Sequence, residues 1–447
     1  MSFGVVLKDC LNEANASVRN FSQITGINRG WVYNIFNGKK PLPEKRFHEI
    51  LENYPFTSHQ KEALSNSYYE DIFGIDTFKK IQFIIQSMNK LGAKDNSQNS
   101  FPWYSCTYHS TSQYINNTAH LIDAIIFLLS SDVKYIYTNF SFEHKKINDT
   151  VFCFLENNNC VDFSHIVNFD TTGMETHNLQ NVFCSAKYAS LGFNTFYYYN
   201  NHTISLQADN MFPYFFMTNK GILLYDNSLS EGLLLLDKEI LTSFLPKVKE
   251  IFKNAIALVD FYTDTLVLNT KLKQIYYLDS ILLTIGYYPY IFYETDDNSI
   301  NTYFPSGSNG MLFLQPEGLF NFMKNKTSPY IPFSVAKSIS SNDTYLILKQ
   351  LMTQYDKTKN IALLKNDLFS LPQNIHVTCC TDSLFIFGSL KKSTPSFIGD
   401  FSICINNKLL VNDFCMFRDY VIKNRLCYNE KHTHFIFDKL HSMMDEK

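Results

Sequence analysis

The stretch Ser17–Gly38, SVRNFSQITGINRGWVYNIFNG, constrains the fold of this chain more than any other. Ser17 is placed to cap a short helix over Val18 to Thr25, since a serine oxygen accepts from the free N–H groups of a first turn. Val18, Phe21 and Ile24 fall three apart, which predicts one apolar side for that helix. Ser22 is small where a second helix must cross closely. Gly26 suits the left-handed conformation that ends a helix. Ile27 is apolar and is expected to turn inward. Asn28 is then a cap for a second helix over Arg29 to Phe36, with Val32 and Ile35 as its buried pair. Asn37-Gly38 closes it.

Two short helices joined by a Gly-containing turn form a helix-turn-helix, whose second helix enters the major groove. Counted outward from Gly26, the stretch resembles the lambda repressor and Cro family, often called the XRE regulators. The match runs without a gap through Ser22, Gly26, Ile27, Val32, Ile35 and Gly38. Helices expected at Phe3 to Ala14 and Glu44 to Asn53 complete an all-α, lambda-repressor-like domain over residues 1–57. The resemblance implies a sequence-specific DNA-binding transcriptional regulator. It places Asn28, Arg29, Gly30, Tyr33 and Asn34 on the exposed side of the recognition helix, with Asn37 just beyond. Arginine pairs bidentately with guanine and asparagine with adenine, so these residue types suit base reading. Lys39 and Lys40 suit phosphate contacts, which position a domain without specifying sequence. Val18 and Phe36 depart from the family, which commonly has Gln and an acidic residue there. Gly30 inside a helix costs about 1 kcal/mol against Ala. Trp31 is read as a packing residue on the domain's flank.

Charge is divided along the chain. Residues 1–53 hold seven Lys and Arg against five acids, a net of +2, which leaves −5 on the rest of a chain whose total is −3. DNA contact is therefore expected at the head alone. Apolar residues make up 45% of the 447 and charged residues 18%, enough to bury a sizeable core and too few charges for disorder. The N-terminus MSFGVVLKDC is not read as a signal peptide, because Asp9 and Glu13 break any apolar core. No apolar run is long enough for a bilayer. The expectation is a cytoplasmic protein with no membrane partner, whose scattered cysteines act as small buried hydrophobes.

Beyond the head, residues 58–92 are read as a helical connector, with an amphipathic helix from Asp76 to Leu91. Gly92–Ser100, GAKDNSQNS, is polar and turn-rich and is read as a linker. A larger α/β (α+β) body follows, divided into 101–256 and 257–447, so the whole chain is multidomain. In the first half, helices are expected at Asn117 to Leu129, Leu179 to Leu191 and from Asp237 to Asn254. Strands are expected at Val133 to Phe140 and Thr195 to Tyr199, and a hairpin across Asn219-Lys220. In the second, Lys271 to Ile285 is read as helical and Tyr287 to Tyr293 as a strand. Strands at Ile361 to Leu364, Ile375 to Cys380, Leu384 to Leu390 and Phe397 to Ile405 precede helices at Val411 to Asn424 and His432 to Met444. No sequence repeat is visible.

Catalytic and metal signatures are sparse. Cys379-Cys380 sits in an expected strand, where neighbours face opposite ways. His432, His434 and His441 lack a completing ligand at zinc spacing. Ser306–Gly310 is Gly-rich but lacks the lysine of a phosphate-binding loop. No cofactor, metal or catalytic residue is assigned. The aromatic clusters Phe196–Tyr199, Pro213–Phe216 and Tyr287–Tyr293 are candidates for lining a pocket. The leading reading is a dimeric regulator in which the body provides dimerisation and senses a small molecule, peptide or protein. The alternatives are an enzyme with a DNA-binding head, or a defence- or toxin-linked autorepressor.

Overall fold

The computed structural model describes residues 2–445 apart from 40, 93–100, 102–107, 109–110, 131, 159, 171–175, 200–210, 263–266, 268–269, 272–273, 276–279, 290, 295–298, 303–309, 327–338, 367 and 390–399. The chain forms two compact units, one of Met1–Ile84 with Asp413–Cys427, the other of Ile85–Asn412 with Tyr428–Lys447.

The first unit is helical: α1 (Phe3–Glu13), α2 (Val18–Thr25), α3 (Arg29–Phe36), α4 (Glu44–Asn53), α5 (Ser58–Phe73) and the first part of α6 (Ile75–Gly92). Its core is aromatic. Phe47 stacks on Tyr68 with ring centroids 3.9 Å apart, and Phe3 meets both edge-on. A full capping box of Thr57 and Gln60 starts α5, and Gly74 ends it. The 1–57 head thus lies inside a larger unit, to which the last turns of the helix Lys408–Lys423 also belong. The carbonyl of Lys423, left without a partner at that helix's end, accepts from His48 Nε2 and from the Tyr69 hydroxyl, each at 2.9 Å. Tyr420 packs edge-on against Tyr69. Lys80 and Asp413 form an ion pair at 3.1 Å with both side chains only 10% exposed. Burial raises the Asp413 carboxyl above its ordinary range, against the pull of Lys80.

The second unit carries two mixed sheets. The first is built from β1 (Ser112–Ile115), α7 (Thr118–Leu128), β2 (Tyr135–Thr138), α8 (Lys145–Asn157), β3 (Asp162–Phe169), α9 (His177–Ala189), β4 (Asn194–Tyr199), β5 (Tyr214–Thr218), β6 (Ile222–Tyr225), β7 (Gly232–Leu235), α10 (Lys238–Asn254) and β8 (Ile256–Ala257). Strands β2, β3 and β4 are parallel, with α8 and α9 as crossovers. On the other side of β2 runs an antiparallel meander, β5-β6-β7, which β1 closes. The second sheet uses β9 (Val259–Tyr262), β10 (Ile281–Gly286), β13 (Met311–Leu314), β14 (Ile361–Leu363), β15 (Ile375–Cys380), β16 (Leu384–Ser389) and β17 (Asp400–Ile405). The hairpin β11 (Ile291–Glu294) and β12 (Ser299–Thr302) lies between β10 and β13. Helices α11 (Pro316–Asn325) and α12 (Ser341–Thr358) connect β13 to β14. Then α13 (Lys408–Lys423) and α14 (Glu430–Asp445) end the chain.

Both sheets share one connectivity. The first reads β4-β3-β2-β5-β6-β7-β1, with β8 added beside β4, and the second reads β14-β13-β10-β15-β16-β17-β9. In each, three parallel strands meet a three-stranded meander, and the first strand of the half pairs with the last of the meander. The body is therefore a repeat in topology, although its sequence has no visible period.

Several expectations are corrected here. Lys271 to Ile285 does not run as a helix, because Ile281–Gly286 is the strand β10, parallel to β13 and antiparallel to β15, and mostly buried. The region between Phe140 and Leu179, for which the sequence predicts no element, holds α8 and β3. Strand β13 and helices α11 and α12 likewise form where the sequence predicts no element. The linker read at Gly92–Ser100 falls, from 93 on, outside the described residues.

Candidate nucleic-acid interface

The two helices of the opening stretch form as their caps require. Ser17 Oγ accepts from Asn20 N at 3.1 Å. Gly26 has φ +70 and its N–H reaches the Ser22 carbonyl, where a side chain would be strained. Asn28 Oδ1 accepts from Gly30 N at 2.8 Å and so starts α3. Phe21, Ile27, Val32 and Ile35 are all buried, which fixes α3 against the rest of its unit. Gly4 of α1 admits the backbone of α3 so closely that a Cβ there would lie 2.1 Å from the Ile35 carbonyl oxygen. One packing expectation fails. Ile24 is 42% exposed, and Thr25 is buried in its place, its hydroxyl donating to the Phe21 carbonyl.

The opposite side of α3 is open. Asn28, Arg29 and Gly30 are exposed, Tyr33 is 54% exposed, and Asn34 is half-buried. Asn37 and Lys39 are exposed beyond the helix, while Lys40 lies outside the described residues. Tyr33 leans edge-on to Phe36, which holds its ring beside the helix. Trp31 is half-buried, with its Nε1 shielded and without a hydrogen-bond partner among the described residues, consistent with packing on the flank. A cleft of about 520 Å3 beside the turn adds Arg19 and Gln23 to Asn28 and Arg29. Arg19 and Gln23 belong to α2, and the recognition-helix pattern alone does not single them out.

The other sequence candidates separate. Cys379 and Cys380 are both buried in β15. His432 Nδ1 lies 2.8 Å from Asn429 Oδ1, His434 lies 3.4 Å from Asp356, and the His441 ring packs on Tyr345. Among the described residues, no three His, Cys, Asp or Glu side chains gather as a metal set. Residues 306–309 of the Gly-rich loop lie outside the described residues. Among the described residues, no helix is long and apolar enough to cross a membrane.

Two of the three aromatic clusters share one cavity. Tyr198, Pro213 and Tyr214 line a space of about 290 Å3 at the carboxyl ends of β2, β3 and β4. Burial, then the Glu143 carboxylate, pushes the Tyr214 hydroxyl up, and burial holds the neighbouring His144 below 6.5. The third cluster serves the core in part, through Tyr287.

No protein-family model matches the chain, and no curated protein sequence matches it. Among solved structures, TrmBL2, an archaeal chromatin protein described as showing a novel mode of DNA binding, aligns at 11% identity. The alignment covers 52% of this chain and 84% of that one, with a TM-score of 0.25. A likeness of that degree carries no argument about fold or binding, so function is argued from this chain's own residues.

Proposed function

We propose that the chain is a DNA-binding transcriptional regulator. Helices α2 and α3 act as an XRE-like helix-turn-helix, and the body supplies self-association and senses an effector. The observation that carries the reading is the polar row Asn28, Arg29, Tyr33 and Asn34 on the open side of a helix whose other side is buried. Arg29 and Asn34 suit base edges, and Lys39 with Lys40 suits the backbone. The basic balance of residues 1–53 against an acidic remainder supports contact through the head.

The test is retention of duplex DNA by the full chain across a salt series. A handful of phosphate contacts predicts that affinity falls by orders of magnitude between low and moderate salt. The double change Lys39→Ala and Lys40→Ala should weaken binding to all sequences alike. Failure of the folded protein to retain any duplex at low salt overturns the reading.

A further inference from the structure

We infer that the cavity at the carboxyl ends of β2, β3 and β4 binds an uncharged, hydroxyl-bearing small molecule of the size of a free sugar or a nucleoside. The inference rests on the effector-sensing role proposed for the body. Ligands of open α/β sheets settle outside the carboxyl ends of the strands. A volume of about 290 Å3 lies just below the range of roughly 300–1,000 Å3 common for ligand pockets.

The lining selects the chemistry. Among the described residues its polar side chains are the carboxamides of Asn139, Asn168, Asn181 and Asn227, with Ser141, His177 and the hydroxyls of Tyr198 and Tyr214, and none is a Lys, Arg, Asp or Glu. A phosphate or carboxylate would find no Lys or Arg there among the described residues. His177 does not supply one freely, because its Nδ1 faces the Glu143 carboxylate at 3.1 Å and its Nε2 the Asn168 carbonyl at 3.0 Å. Glu143 also sets a negative charge beside the start of α9, where an anion would otherwise be favoured. Asn181 is 2% exposed and donates its Nδ2 to the Asn168 carbonyl at 2.7 Å. A carbonyl only accepts, so this bond fixes the amide's orientation. Asn181 Oδ1 is then an acceptor on the cavity wall with no partner among the described residues. That oxygen can accept a donor from whatever occupies the space. A hydroxyl brings that donor, and a fully ionised phosphate does not.

The wall is set before any ligand arrives. Asn139 bridges the strands, accepting from Phe215 N at 2.7 Å and donating to the Pro213 carbonyl at 3.0 Å. Asn227 accepts at its Oδ1 from the Tyr214 hydroxyl and at its carbonyl from His144 Nε2, both at 3.1 Å. The turn that carries it is clamped by Asp226, whose carboxylate takes the N–H groups of Ser230 and Glu231 at 2.9 Å each. Burial raises the Asp226 carboxyl, but bonds from Ser228, Glu231 and Ser230 outweigh it and hold it below its ordinary value. Such preorganisation lowers the entropy lost on binding. The duplicated half makes a different use of the same place. Gln315, just past β13, donates to the Phe369 carbonyl and accepts from Leu371 N, each at 2.9 Å, so both ends of its amide are spent within the chain.

The experiment is calorimetric titration of the full chain with two sets of probes. One set is neutral: glucose, galactose, ribose, adenosine and uridine. The other holds the matching phosphates. At least one neutral probe should bind, its phosphate should bind much more weakly, and the sugar and nucleoside arms identify which source supplies the hydroxyls. Asn181→Leu should weaken that binding about ten-fold or more. Asn227→Ala, on an exposed turn, should weaken it with the thermal transition retained, which covers the case in which Asn181→Leu fails to fold. Absence of binding by every neutral probe at millimolar concentration overturns the inference, as does tighter binding of the phosphates or unchanged affinity in Asn227→Ala. Duplex retention measured on the same preparation reports on the head, so a failed titration with intact DNA binding strikes this inference alone.

Discussion

At the scale of single residues, the open side of α3 divides by proposed role. Arg29 and Asn34 are assigned to base edges, where a wrong base in a good bidentate pair costs about 1–3 kcal/mol. Arg29→Ala and Asn34→Ala should therefore lower affinity for an operator more than for a scrambled duplex, as read by anisotropy titration on both. Equal losses on the two would limit these residues to the phosphate backbone. Two buried histidines predict a pH effect on the body. His165 and His376 are fully buried, and desolvation lowers both from 6.5 to about 3, partly offset at His165 by its bond to the Phe140 carbonyl. Folding holds them neutral, so the unfolded chain binds more protons once the pH drops below 6.5. Stability should then fall between pH 6.5 and 3 by about 1.4 kcal/mol per pH unit for each histidine. Denaturant midpoints across that window check it, and His165→Asn should flatten the slope. A midpoint that does not decline toward acid pH in the wild type would contradict the assignment.

At the scale of elements, the first unit is closed by a segment distant in sequence. Lys80→Met alone leaves Asp413 buried without its partner, which typically costs about 3–5 kcal/mol. The carboxyl, already raised by burial, would rise further. A raised carboxyl means that the folded state holds its proton longer, so stability falls as pH increases through that range. The loss in Lys80→Met should accordingly be larger at neutral than at mildly acid pH, and adding Asp413→Leu should recover much of it. Denaturation of the three chains at two pH values decides the matter. A fragment ending at residue 57 would also lack Tyr68, the stacking partner of Phe47. It should melt without the cooperativity of the full chain.

What was legible in the sequence follows from how local each signal is. The caps Ser17 and Asn28, the left-handed Gly26 and the buried Val32 and Ile35 act within a few residues of one another, and all appear as read. Ile24 was misjudged because its neighbour Thr25 can be buried by bonding its own helix's carbonyl. Strand β3 carries Ser164, His165 and Asn168 among its apolar residues, so it has no clean alternation, and it is buried on both sides as parallel strands are. The apolar spacing before Gly286 fits a helix as well as a buried strand, which is why β10 was misassigned. The pairing of Asp413–Cys427 with the N-terminal helices and the cavity of Asn139, Asn181 and Asn227 are both long-range, and no local pattern announces either.

At the scale of the whole molecule, two properties matter: a charge division and a duplicated body. If the proposed regulator binds an operator as a dimer, each α3 lies in a major groove, with half-sites about one helical turn apart. Sedimentation of the full chain with and without operator should give two copies per duplex, and a monomer on and off DNA would overturn the dimer. The central claim is that this chain reads a specific DNA sequence through α3. Its most direct test is sequencing of the DNA bound to the full-length protein in cells, beside the Arg29→Ala/Asn34→Ala double variant. The account predicts a recurrent motif of two related half-sites with the wild type and loss of that motif with the variant. Recovery of no enriched motif, or of the same motif with both proteins, would contradict it.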